Sequence, residues 1–123
     1  MVPILPKSNS IMDKKVIIYQ KILLSFLQEE AESKTIPDID FQVIEDIRNN
    51  NFLLIENGWI EKRYFDAIVF HFQIKTGGKV WILANNTDVL VAEELVKRGI
   101  PSADIVLGFH APSTRQYTGF AVA

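Results

Sequence analysis

Cysteine is absent from this 123-residue chain, which removes disulfides, thiolate nucleophiles and cysteine-ligated metals together. The absence is compatible with a reducing cytosol, and a cytoplasmic protein is the expectation. No run is long and apolar enough to span a bilayer. Histidine is scarce, with only His71 and His110. They form no His-x-x-x-His or His-Glu-x-x-His pattern, and no Gly-x-Ser-x-Gly elbow accompanies them. Gly77-Gly78 opens no helix, so it reads as a hairpin turn and not a phosphate loop. Asp38, Asp40, Glu45 and Asp46 form no locally spaced acid set and read as solvated edges. Basic clusters are also lacking. Thirteen Lys and Arg are scattered against fifteen acids, for a net charge of -2. The nearest thing to a cluster is Lys62-Arg63, with Glu61 beside them. Affinity for a phosphate backbone comes from a basic face, so any contact with DNA is expected to be indirect. No catalytic residue, cofactor or metal is expected.

The hydrophobic fraction of 48% is ordinary for a globular protein, and the length suits one domain with a modest core. Met1 to Ile11 carry Pro3 and Pro6 and no long apolar run. They read as a disordered extension rather than a signal peptide, with Met12 a candidate start. The domain is expected over residues 12–123.

Asp13 to Ser33 reads as a helix capped by Asp13. Ile18, Ile22 and Phe26, with Tyr19, Leu23 and Leu27 beside them, recur at helical spacing. Asp40 to Arg48 and Phe52 to Asn57 read as strands joined through Asn49-Asn50-Asn51, with Gly58-Trp59 ending the second. Arg63 to Lys75 and Val80 to Ala84 read as a longer hairpin. A two-residue Gly-Gly loop there sets Ile74 against Trp81 and Phe72 against Leu83, with Phe70 and Ile68 on the same core face. The opposite face then carries Ala67, Val69, His71, Gln73, Lys75, Val80 and Ile82. It is half apolar, so it is expected to be partly covered by the C-terminal tail or by another subunit. Thr87 to Arg98 reads as a second helix, capped by Asn86 or Thr87 and closed by Gly99 with a Leu95–Ile100 contact. Asp104 to Phe109 reads as a last strand. The fold class is therefore α+β: an N-terminal helix, a four-stranded antiparallel meander, a second helix, a short strand and a packed tail.

That tail is aromatic where tails are usually polar: Tyr117, Phe120, Ala121, Val122. It is expected to fold back. His110 follows a strand and a glycine, a plausible place for a functional side chain. Arg115 and Tyr117 share one side if the tail is extended, and both types are common at binding hot spots. The candidate partner-binding residues are His110, Arg115, Tyr117, His71 and Phe109.

The run Glu94-Leu95-Val96, Gly99-Ile100-Pro101, Asp104 to His110, Pro112, Arg115, Tyr117-Thr118 and Phe120 to Ala123 resembles the XisI family, the fdxN element excision controlling factors. The resemblance covers roughly Met12 to Ala123. It implies a factor that controls excision of a DNA element, while a different protein cuts and joins. It also implies a companion of the XisH type. A small acidic protein that works by binding this companion, or a second copy of itself, is the leading expectation. Direct DNA binding comes second, and a hydrolase or nuclease site near His110 third.

Overall fold

The computed structural model describes residues 11–123. Of the expected extension at residues 1–11, residues 1–10 lie outside the described residues. Ile11 already belongs to the first helix, α1, Ile11–Ser33. Four antiparallel strands follow: β1, Ile39–Asp46; β2, Asn51–Ile60; β3, Arg63–Lys75; and β4, Lys79–Asn85. A short helix α2, Val91–Lys97, leads to β5, Ile105–Leu107, and a single helical turn α3, Pro112–Arg115. The sheet order is β1-β2-β3-β4-β5. The α+β class and the meander are as expected. The last strand joins the same sheet, parallel to β4, with Trp81 opposite Val106.

One face of the sheet is closed. Tyr19, Leu23, Phe26 and Leu27 of α1 are buried against Phe52, Leu54, Phe70, Phe72, Ile74, Val80 and Ile82, with Val91 and Leu95 of α2 and Ile100 completing the cluster. This stripe lies to the Tyr19 side of the one the sequence favours, and Ile18 is exposed. Phe26 meets Phe70 edge-on at 5.3 Å. Arg98 joins the helices, pairing with Glu29 and Glu94. Burial pulls its guanidinium down, but the two carboxylates outweigh this and hold it above its usual range. Among the described residues, no helix is long and apolar enough to cross a membrane.

The β3–β4 register differs from the sequence expectation. Lys75 faces Lys79, Ile74 faces Val80, and Phe72 faces Ile82. The loop is thus three residues, Thr76-Gly77-Gly78, with both glycines at positive φ. One extra loop residue moves β4 by one place, and a one-residue slip exchanges its two faces. Val80 and Ile82 are therefore core, and Trp81 lies on the outer face. A second irregularity corrects Ile68. Leu54 faces Phe70 while Ile55 faces Ile68, so Val69 is an extra residue in β3. The bulge buries Val69 next to Phe70 and turns Ile68 outward. β2 also continues through Gly58 to Ile60 and closes on Arg63 through Glu61-Lys62, with Glu61 at positive φ.

The second helix begins at Val91, later than the sequence reading. Asn85 and Thr87 build a turn instead. Asn85 Oδ1 accepts from the Thr87 N–H and hydroxyl, and Thr87 Oγ1 accepts from the Val89 N–H. Such residues compete with helix for nearby backbone groups. The expected ending holds. Ile100 N–H donates to Leu95 C=O, Gly99 N–H to Val96 C=O, and Gly99 has φ 114°.

A polar cluster ties α1 to the far edge of the sheet. Asp104 accepts from Tyr19 Oη and pairs with Lys15 Nζ at 2.9 Å. Burial pushes the Asp104 carboxyl up. The hydrogen bonds from Tyr19 and Lys15, with the charges of Lys15 and Lys79, outweigh that and hold it below the usual range. Burial and Asp104 push the Tyr19 hydroxyl up, so it stays a donor. A folded-state value below the unfolded one gives stability that is present above the unfolded value and lost as pH falls through the folded one. Asp104→Asn is expected to cost about 1–3 kcal/mol at neutral pH and to flatten the stability loss below roughly pH 4. Urea midpoints across pH 2–7 check this.

Candidate functional site

The structure separates the five candidate residues. Phe109, His110, Arg115 and Tyr117 sit in the segment after β5, and His71 stands on the outer sheet face. Arg115 and Tyr117 do not share a side, because Pro112–Arg115 is helical and not extended. Arg115 folds back. Its Nε donates to His110 C=O at 3.1 Å, its guanidinium reaches Gly108 C=O at 3.4 Å, and it lies 4.9 Å over the Trp81 ring. Lys75 Nζ lies 4.1 Å from the same ring. Gly108 allows the close approach, since a Cβ there would stand 3.0 Å from both Trp81 and Leu83. Ala121 N–H donates to Ile105 C=O, so the tail ends beside β5. Arg115 is a clamp. Arg115→Ala is expected to cost about 1–2 kcal/mol and to red-shift Trp81 fluorescence as the tail lifts, read in a Trp59→Phe background.

Tyr117 is 82% exposed and Phe109 is 52% exposed. The His110 ring lies 4.6 Å from that of Phe109, tilted by 42°, and makes no side-chain hydrogen bond among the described residues. Hydrolysis would need a nucleophile or acid hydrogen-bonded to it, and among the described residues His110 has no such partner. Among the described residues, no group of three His, Asp or Glu could hold a metal ion. An apolar cavity of about 180 Å³ lies nearby, lined by Ile82, Val91, Leu107, Phe109 and Phe120.

The outer sheet face is covered only in part. The segment after β5 covers the side of Trp81 and Leu83. The strip over β1, β2 and β3 is open. Residues directly opposite in antiparallel strands share a face. One row therefore runs Ile44, Leu53, His71, and the next runs Gln42, Ile55, Ile68. Asp40, Asn57 and Asp66 follow, then Trp59 and Tyr64 at the end of the β2–β3 hairpin. Ile44 and Ile68 are each 40% exposed, and Trp59 and Tyr64 more than half. Trp59 and Tyr64 rings stand 5.3 Å apart. His71 Nε2 lies 2.8 Å from Asn51 Oδ1, and burial pushes its imidazole down. At neutral pH it is therefore an uncharged member of this strip. The sequence placed His71 on the half-covered face correctly. It missed Ile44, for which partial apolar alternation in Asp40 to Asp46 was the available signal, and Ile68, which the bulge at Val69 places there.

Fold and site define a small two-layer α+β protein with one sheet face closed by helices and the other half open. The XisI protein model matches residues 12–122, and the chain belongs to that family. Two solved structures from Anabaena variabilis ATCC 29413 are similar. One, a XisI-like protein, is 38% identical with a TM-score of 0.82, covering 88% of this chain and 99% of that one. The other, fdxN element excision controlling factor XisI, is 32% identical with a TM-score of 0.75, covering 89% and 99%. A comparison with curated proteins finds no match.

Proposed function

We propose that this chain is an excision-controlling factor that acts without chemistry of its own, by binding a companion protein of the XisH type. The observation that carries this reading is the open strip of apolar side chains on the outer sheet face, where Ile44, Ile68, Trp59 and Tyr64 are all well exposed. Contiguous exposed apolar surface of this kind marks interaction sites. Similarity to the fdxN element excision controlling factor XisI of Anabaena variabilis supports the role. The test is light scattering on the chain alone and mixed with the companion. A defined heteromeric mass is expected. A chain whose mass is unchanged by the companion contradicts the reading.

One feature favours a second reading, direct contact with nucleic acid. Lys62 and Arg63 cap the hairpin whose end carries Trp59 and Tyr64, and basic groups beside aromatics suit unstacked bases. A mobility shift that weakens steeply with salt would support it.

A further inference from the structure

The open strip has a charge pattern as well as an apolar floor, and the pattern says what covers it. Its charged groups are Asp40, Asp46, Asp66 and Lys75. Asp46 accepts the Asn49 N–H and the Asn49 side-chain amide, and Lys75 lies over Trp81. Both are thereby occupied. The side chains of Asp40 and Asp66 make no hydrogen bond or ion pair among the described residues, and both are exposed. They flank Asn57 in one row across three strands, between the aliphatic floor and the Trp59–Tyr64 pair. The strip is therefore apolar along its length and acidic across one row, with Lys75 held over Trp81 at one side and Lys62 and Arg63 beyond the Trp59–Tyr64 pair.

We propose that this face docks an amphipathic helix of a partner protein, whose apolar stripe lies on Leu53, Ile55 and Ile68 and whose Lys or Arg residues reach Asp40 and Asp66. The proposal deepens the protein-binding reading and rests on it. A helix is the layer this sheet lacks on that side. On the other face α1 already shows how an apolar helix stripe covers the same strands. The dimensions agree. Leu53 to Trp59 spans about 20 Å of strand, which about 13 residues of helix match. A second copy of this chain fits poorly, because face-to-face packing about the Asn57 row brings Asp40 and Asp66 of one molecule towards those of the other. Like charges brought together across an interface disfavour it. A basic amphipathic helix meets no such conflict, and the aromatic pair beside the acids offers its cations a second attraction.

The test uses two synthetic helices of equal length and apolar stripe, one flanked by Lys and Arg and one by Glu, titrated into the chain by methyl NMR. The basic helix is expected to shift the Ile44, Leu53, Ile55 and Ile68 methyls saturably, and the Glu helix to bind at least about tenfold more weakly. Asp40→Lys with Asp66→Lys is expected to reverse that preference. Ile44→Thr with Ile68→Thr keeps β-branching and is expected to abolish the methyl shifts while circular dichroism and Tm stay as in the parent. No saturable shift with either helix, equal binding of both, or self-association that moves these same methyls would overturn the proposal. The same two variants mixed with the companion separate the two readings. A companion that binds parent and variants alike leaves the companion reading standing and removes this face. A companion that binds none, while the basic helix still docks, leaves the face standing and removes that companion.

Discussion

Phe70→Ala is expected to cost about 3–5 kcal/mol, a large part of the roughly 5–15 kcal/mol that holds a domain of this kind folded. Phe70 is fully buried. It meets Phe26 edge-on at 5.3 Å and Phe72 at 6.0 Å. Its strand also cannot relax into the space left behind. Val69 is an extra residue against β2, and the β3–β4 pairing skips Leu83 between His71 and Phe72. Two irregularities thus fix the backbone on either side of Phe70. A cavity that cannot collapse sits at the costly end of the range. Phe70→Leu, which keeps most of the volume, is expected to lose far less. Urea unfolding of both variants measures the difference, and a Phe70→Ala midpoint close to the parent would mean that the aromatic cluster is not the centre of the core.

Gly58→Ala is expected to be comparably damaging, for a reason of backbone and not of core volume. Gly58 sits in β2 opposite Ile39 with φ 149°, a region that side chains rarely enter. A Cβ there would stand 2.0 Å from Asp38 C=O and 3.0 Å from Ile39 Cα. That same carbonyl accepts the Trp59 N–H, and Asp38 itself has positive φ. Alanine must therefore push the start of β1 off β2 and break that bond. The expected loss is about 3 kcal/mol or more, with Ile39 exposed. Gly77→Ala is the control. Its φ of 92° is also unfavourable, but a Cβ there meets nothing within 4 Å, so only the backbone cost of about 1–2 kcal/mol applies. Thermal unfolding of the pair separates crowding from strain. Equal losses would show that the contact with Asp38 carries no weight.

Local features were legible in the sequence. The Leu95–Gly99–Ile100 ending of α2 is written in three residues whose roles depend only on each other, and it stands as read. The presence of α1 and the order of the meander strands also stand, because their hydrophobic periods are long, although the α1 stripe, the end of β2 and the β3–β4 register differ. The places that escaped depend on parity or distance. Thr76-Gly77-Gly78-Lys79 admits a two- or a three-residue loop, and choosing the shorter one placed Trp81 in the core and Val80 and Ile82 outside it. Val69 beside Phe70 looks like any strand pair until the bulge is known, and the bulge is what sends Ile68 to the open face. The candidate site was legible in half. A mixed outer face partly covered by the tail was expected, and Arg115 over Trp81 with Gly108 against Leu83 provide that cover. The Arg115 clamp joins residues far apart in the chain, and no local pattern announces it. Its occupation by the fold also leaves Tyr117 and Phe109, not Arg115, as the exposed candidates of the tail.

The most direct test of the account is the methyl spectrum of the chain with and without its companion, using labelled Ile and Leu. If the open sheet face is where this chain meets protein, Ile44, Leu53, Ile55 and Ile68 shift together and Leu23, Leu27 and Leu95 of the core stay in place. If those four signals do not move while the companion is bound, and Leu107 or Leu90 beside the tail cavity moves instead, the sheet face is not the meeting place and the account is wrong at its centre.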